Sequence, residues 1–98
     1  MSNLKKVTLS WSEEAWEDFQ YWLDNDKQKA RKLRRLIKEC IRTPYEGAGK
    51  PEPLKGNFSG FWSRRIDHEH RLVYAYSNEN LFILQCRFHY FEHVQFRG

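Results

Sequence analysis

The chain has 98 residues, and 17 lysines and arginines against 13 aspartates and glutamates leave it a net charge of +4 at neutral pH. Aromatic residues make up 16% of it, which supports one modest core and excludes a disordered chain. No apolar run is long enough to span a bilayer and the N-terminus has no apolar stretch of signal-peptide length, so a cytoplasmic protein with a polyanionic partner is the expectation.

Val7 to Trp11 alternates apolar and polar residues and predicts a short strand. Ser12 is the expected cap of a first helix, with Glu13 and Glu14 in its first turn, where the helix dipole favours negative charge. Trp11 and Trp16 occupy the positions of a hydrophobic staple. Ala15, Trp16, Phe19, Trp22 and Leu23 mark the inner face of this helix, which ends near Asp24-Asn25-Asp26. Asp26 caps a second helix reaching about Arg42, with Ala30, Leu33, Ile37, Cys40 and Ile41 as its apolar stripe. Its other face carries Lys27, Lys29, Arg31, Lys32, Arg34, Arg35, Lys38 and Arg42 against Glu39 alone. That excess of +7 exceeds the charge of the whole chain and marks the helix as a polyanion-binding surface.

Thr43 to Gly60 reads as a long break holding Pro44, Pro51 and Pro53 with Gly47, Gly49, Gly56 and Gly60. Long loops in small domains are uncommon and often functional. Three strands follow: Phe61 to Asp67, His70 to Tyr76 and Leu81 to Tyr90, with turns at Asp67-His68-Glu69 and Ser77-Asn78-Glu79-Asn80. On the last strand Phe82, Leu84, Cys86 and Phe88 are expected to face the helices, and Gln85, Arg87 and His89 the solvent. The resulting fold class is α+β: an N-terminal strand, a helical hairpin, then an antiparallel sheet meander, all in a single domain over 1–98. Cys40 and Cys86 lie in apolar patterns without metal-like spacing and read as reduced, buried side chains.

The wet face of such a meander gathers chemistry. His89 and Arg87 reach it by alternation, and Arg65 and Arg71 on neighbouring strands can share it. Glu52, held between Pro51 and Pro53, offers a carboxylate from the loop. These groups suffice to cleave RNA without a metal ion: a base takes the 2′-hydroxyl proton, arginines hold the phosphate oxygens, and an acid protonates the departing 5′-oxygen. DNA lacks the attacking hydroxyl. Each residue taken alone also has an ordinary reading as a solvated or salt-bridged surface group. His68 and His70 lack a third ligand at a metal-binding spacing. Spacing alone leaves a basic α+β domain, either a nuclease or a non-catalytic RNA- or DNA-binding module.

The same residues lie in long motifs: Trp11-Ser12-Glu13-Glu14 with Trp16, Arg42-Thr43-Pro44-Tyr45-Glu46-Gly47, and Gly49-Lys50-Pro51-Glu52-Pro53-Leu54-Lys55. Phe58-Ser59-Gly60, Phe61-Trp62-Ser63-Arg64-Arg65-Ile66, Glu69-His70-Arg71-Leu72-Val73-Tyr74 and Cys86-Arg87-Phe88-His89-Tyr90 continue them. In these the chain strongly resembles the YoeB toxins, a branch of the RelE superfamily of bacterial toxin–antitoxin systems. The resemblance implies a RelE-like fold related in shape to small microbial ribonucleases. It implies cleavage of messenger RNA on the ribosome, with no cofactor. Glu52 then resembles the general base, His89 the general acid, Arg71 the residue that stabilises the transition-state phosphate, and Tyr90 a nucleotide-positioning tyrosine. Lys50, Lys55, Arg65 and Arg87 would support the phosphate, and Lys27, Arg31, Arg34, Arg35 and Lys38 would contact the ribosome. The implied partners are a YefM-type antitoxin, the ribosome and mRNA, a second toxin copy in a homodimer or hetero-oligomer, and operator DNA through the antitoxin. Members of this branch commonly end at the His-Tyr pair, whereas here a short extension, 91–98, follows Tyr90.

Overall fold

Ser12 sets the start of the first helix. Its Oγ accepts the Ala15 N–H at 2.9 Å and donates to the Leu84 carbonyl at 2.6 Å, so one side chain caps the helix and ties it to a distant strand. The computed structural model describes residues 6–88. Within them run β1 (Thr8–Trp11), α1 (Glu13–Asn25), α2 (Lys27–Arg42), β2 (Glu52–Pro53), a 3-10 turn (Gly56–Phe58), β3 (Trp62–Arg65), β4 (Arg71–Ser77) and β5 (Asn80–Gln85). His89, Tyr90 and the extension 91–98 lie outside the described residues.

The helical hairpin forms as its caps and charges dictate. Asp26 is the sole residue between the helices, and its carboxylate accepts the Lys29 N–H at 3.2 Å. Trp11 and Trp16 meet edge-to-face at 5.6 Å, which is the staple expected at the start of α1. The inner face of α1 is narrower than the periodicity predicts. Trp16 and Leu23 are exposed, and Asp18 is buried in their place beside Ala15 and Trp22. Asp18 tolerates burial because its Oδ2 accepts the Cys86 N–H at 3.0 Å.

The strands form one five-stranded sheet in the order β1-β5-β4-β3-β2. The antiparallel meander β3-β4-β5 is present as expected, but β1 joins β5 in parallel, so the sheet is mixed. The connection between those two strands contains both helices, which is the long crossover a parallel pair requires. At the opposite edge Glu52–Pro53, expected as loop, pairs antiparallel with β3. Proline lacks the N–H that would extend a ladder, and this keeps the strand short.

The helices cover one face. Leu33, Leu36, Ile37 and Cys40 of α2 pack with Ala15 and Trp22 of α1 and with Leu72, Tyr74, Leu81 and Ile83 of the sheet. The phase of β5 differs from the expectation: Leu81 and Ile83 face the helices, and Phe82 and Leu84 do not. The cause is a bulge. Tyr74 pairs with Ile83 but Val73 pairs with Gln85, which leaves Leu84 as the extra residue. One extra residue reverses the alternation, so Cys86 returns to the helix side, as predicted, while its neighbours shift. The strand also stops at Gln85 instead of reaching Tyr90, and Phe88 takes a left-handed φ of +67°. Both cysteines are buried and unbridged, and burial pushes the Cys40 thiol up to about 11, which keeps it unreactive.

Candidate active site on the open face of the sheet

Two adjacent arginines on β3 point to opposite faces and do different work. Arg64 points toward the helices and is fully buried. Its Nε donates to the Tyr74 hydroxyl at 3.0 Å, Nη1 to the Ala48 carbonyl at 2.9 Å, and Nη2 to the Thr43 and Glu46 carbonyls. The Tyr74 hydroxyl in turn donates to the Pro44 carbonyl at 2.7 Å. This network pins the turn that leads into Glu52, and a buried guanidinium is tolerated because four of its five N–H donors find acceptors. Gly49 completes the fit. Its φ is +85°, and a Cβ there would stand 3.0 Å from the Arg64 Cβ and 3.1 Å from Leu36 Cδ2.

Arg65 points the other way and is exposed. It is the direct cross-strand partner of Arg71, so both stand on the open face. The Arg65 N–H donates to Gly49 and the Arg71 N–H to Phe88, so the pair exchanges no backbone bonds. In pairs of that kind the side chains stand closest. One row along the sheet, Glu52 pairs with Ser63, Ser63 with Val73 and Val73 with Gln85. Glu52 therefore shares the face of Arg65 and Arg71. It lies two strand spacings across and two residues along from Arg71, a backbone diagonal of roughly 12 Å that the two side chains span from opposite ends.

The turn between β3 and β4 aims Arg71. Arg71 Nη1 donates to the Asp67 carbonyl at 2.7 Å and the His70 carbonyl at 3.1 Å. Asp67 holds that turn by accepting the Glu69 and His70 N–H groups at 2.7 and 2.6 Å. Burial opposes its charge, but those two N–H groups and the Lys29 ammonium at 3.1 Å outweigh it and hold the carboxyl down at about 2.

Glu52, Arg65 and Arg71 are thus brought together, and Lys50 and Lys55 are exposed on either side of β2. Arg87 is not part of this group. The chain has left the ladder by then, and its guanidinium lies 3.4 Å from the ring centre of Tyr21 on α1, a cation–π contact on the helix side. Alternation fails there because it holds only while the strand lasts. The burial of Arg64 escaped the sequence reading, since nothing local marks an arginine as buried, whereas Asp67 anchors the turn in which it was expected. His70, which lacked a third ligand for a metal role, accepts the Phe88 N–H on Nδ1 at 2.7 Å. Lys27, Arg31, Arg34, Arg35 and Lys38 are all exposed on α2. Beside them a groove of about 390 Å³ runs between Lys29, Arg31, Lys32 and Arg35 and the Ile66-Asp67 corner. Among the described residues, Lys29 pairs with Asp67 and Arg42 with Glu39 at 2.9 Å.

Residues 11–90 match the family model of the YoeB-like toxin of bacterial type II toxin–antitoxin systems. The chain is 60% identical over 84 residues to Toxin YoeB of Escherichia coli strain K12, covering 86% of this chain and all of that one. The YoeB/ParE toxin from Agrobacterium tumefaciens superposes with a TM-score of 0.82 at 46% identity, covering 86% of this chain and 100% of that one. YoeB in the heterotetrameric YoeB–YefM toxin–antitoxin complex from Staphylococcus aureus superposes at 0.80 with 43% identity, covering 87% and 99%.

Proposed function

Because the chain belongs to the YoeB-like toxins of bacterial type II toxin–antitoxin systems, we propose that it is a ribosome-dependent endoribonuclease that cuts messenger RNA without a metal ion. The observation that carries this reading is the placement of Glu52 on the sheet face that holds the paired Arg65 and Arg71. A phosphodiester between them meets a carboxylate on one side and two cations on the other.

Glu52 takes the proton from the 2′-hydroxyl, whose oxygen attacks the adjacent phosphorus. Arg71, aimed by the Asp67 and His70 carbonyls, and Arg65 beside it stabilise the charge that builds on the non-bridging oxygens. His89, a few residues beyond the end of β5, protonates the leaving 5′-oxygen, and Tyr90 positions the nucleotide. The products are a 2′,3′-cyclic phosphate and a 5′-hydroxyl. Lys50 and Lys55 add positive charge along the path of the RNA backbone. The exposed cations of α2 draw the protein to ribosomal RNA by steering and counterion release. The cytoplasm is the compartment in which such a toxin meets ribosomes. A YefM-type antitoxin is the partner, by analogy with the Staphylococcus aureus heterotetramer, and operator DNA is bound through that antitoxin.

The test is cleavage on programmed ribosomes. Glu52→Ala, Arg71→Ala and His89→Ala are expected to stay folded and lose cutting. Unchanged cutting by all three would overturn this assignment of the site, and no cutting by the wild-type protein would leave a non-catalytic nucleic-acid-binding module as the reading.

A further inference from the structure

The path of the chain after β5 is fixed step by step. The Cys86 carbonyl accepts Trp22 Nε1–H at 2.9 Å, and its N–H donates to Asp18. Gln85 Nε2 donates to the Arg87 carbonyl at 3.2 Å and the Phe88 carbonyl at 3.4 Å. The last described residue is gripped from both sides: the Phe88 N–H donates to His70 Nδ1 at 2.7 Å, and the Phe88 carbonyl accepts the Arg71 N–H at 3.1 Å. His70 is itself held on edge against the Trp22 ring, with centroids 4.9 Å apart. An imidazole nitrogen that accepts carries no proton, so His70 bears its proton on Nε2.

We propose that His70 is a positioning residue that acts through Phe88, the neighbour of His89 in sequence. Its Nδ1 acceptor and the Arg71 backbone fix Phe88 in the left-handed conformation (φ +67°) from which the chain continues into His89. The grip joins two parts of the site. The residue that orients Phe88 immediately precedes Arg71, and Arg71 both grips the Phe88 carbonyl and presents its guanidinium on the open face. A histidine would not be needed here for bulk: the contact requires an unprotonated acceptor at the Nδ1 position. This inference rests on reading His89 as the general acid.

His70→Asn keeps an acceptor close to the Nδ1 position, and His70→Leu keeps bulk without an acceptor. Cleavage on programmed ribosomes is measured for both and for His89→Ala, with exchange of the Phe88 amide followed by NMR. Expected are a fall in kcat of about ten- to a hundredfold for His70→Leu with KM nearly unchanged, faster Phe88 exchange, and recovery of both by His70→Asn. Wild-type kcat in His70→Leu while His89→Ala is inactive would overturn the positioning role and leave the nuclease reading standing. Wild-type cutting by His89→Ala removes the acid and this proposal with it. Should His70→Leu not fold, His70→Asn decides: a folded protein as slow as His89→Ala overturns the proposal, and near-wild-type kcat with a protected Phe88 amide supports it.

Discussion

Arg65 and Arg71 face each other directly across β3 and β4, on the same side of the sheet and in a pair that exchanges no backbone hydrogen bonds. Like charges placed so are destabilising by about 0.2–1 kcal/mol. A bound phosphate turns that repulsion into binding. Arg65→Gln is therefore expected to leave the protein equally stable or up to about 1 kcal/mol more stable in urea unfolding. The same variant should lose cleavage by about tenfold or more. A clear loss of stability would show that Arg65 is a structural residue.

Glu52 is exposed on a two-residue edge strand, so its charge does little for the fold. Glu52→Gln should change stability by less than about 0.5 kcal/mol. Cleavage on programmed ribosomes should fall about 10²–10⁴-fold if the carboxylate is the base.

Arg64 is the opposite case. Arg64→Met would remove the donors that serve the carbonyls of Thr43, Glu46 and Ala48 and the hydroxyl of Tyr74. The expected loss is about 3–5 kcal/mol, read from denaturant midpoints at constant slope. Arg64→Lys should recover little, because an ammonium cannot reproduce the planar fork that serves four acceptors.

Asp67 makes the molecule sensitive to acid. Its carboxyl is held at about 2 in the folded protein, below the ordinary value near 4 of the unfolded chain. A depressed value stabilises the fold above the unfolded pKa, and that contribution disappears as the pH falls from about 4 to about 2. Asp67→Ala should flatten stability across that window. At neutral pH it should cost about 1 kcal/mol, reduced from the usual charged hydrogen-bond value because solvent reaches the site. It should also loosen Arg71 and lower kcat.

The exposed cations of α2 predict a salt-dependent association. Arg34→Glu with Arg35→Glu should weaken ribosome binding, most strongly at low ionic strength, in sedimentation across a salt series. Cleavage should recover in part when ribosomes are saturating. Binding unchanged at every salt concentration would remove α2 from the interface.

Much of this protein can be read from local pattern. The Ser12 and Asp26 caps, the Trp11–Trp16 staple, the hairpin of helices and the basic face of α2 all depend on residues within one or two helical turns of each other. Turn chemistry and alternation likewise place β3 and β4 nearly where they occur. Motif content carries Glu52 and Arg71 together as candidates before any geometry is known.

What local pattern does not carry is anything that depends on pairing. The bulge at Leu84 has no signature in an apolar run, yet it decides which side chains of β5 meet the helices, and the end of the strand at Gln85 frees Arg87 to lie over Tyr21. The parallel entry of β1, the pairing of Glu52 with Ser63 and the burial of Arg64 next to an exposed Arg65 also arise from contacts distant in sequence. The residues by themselves determine which elements form and which chemical groups are present. Only the tertiary structure decides that Glu52 shares a face with two opposed arginines, because strand register, not sequence spacing, sets which side chains stand together.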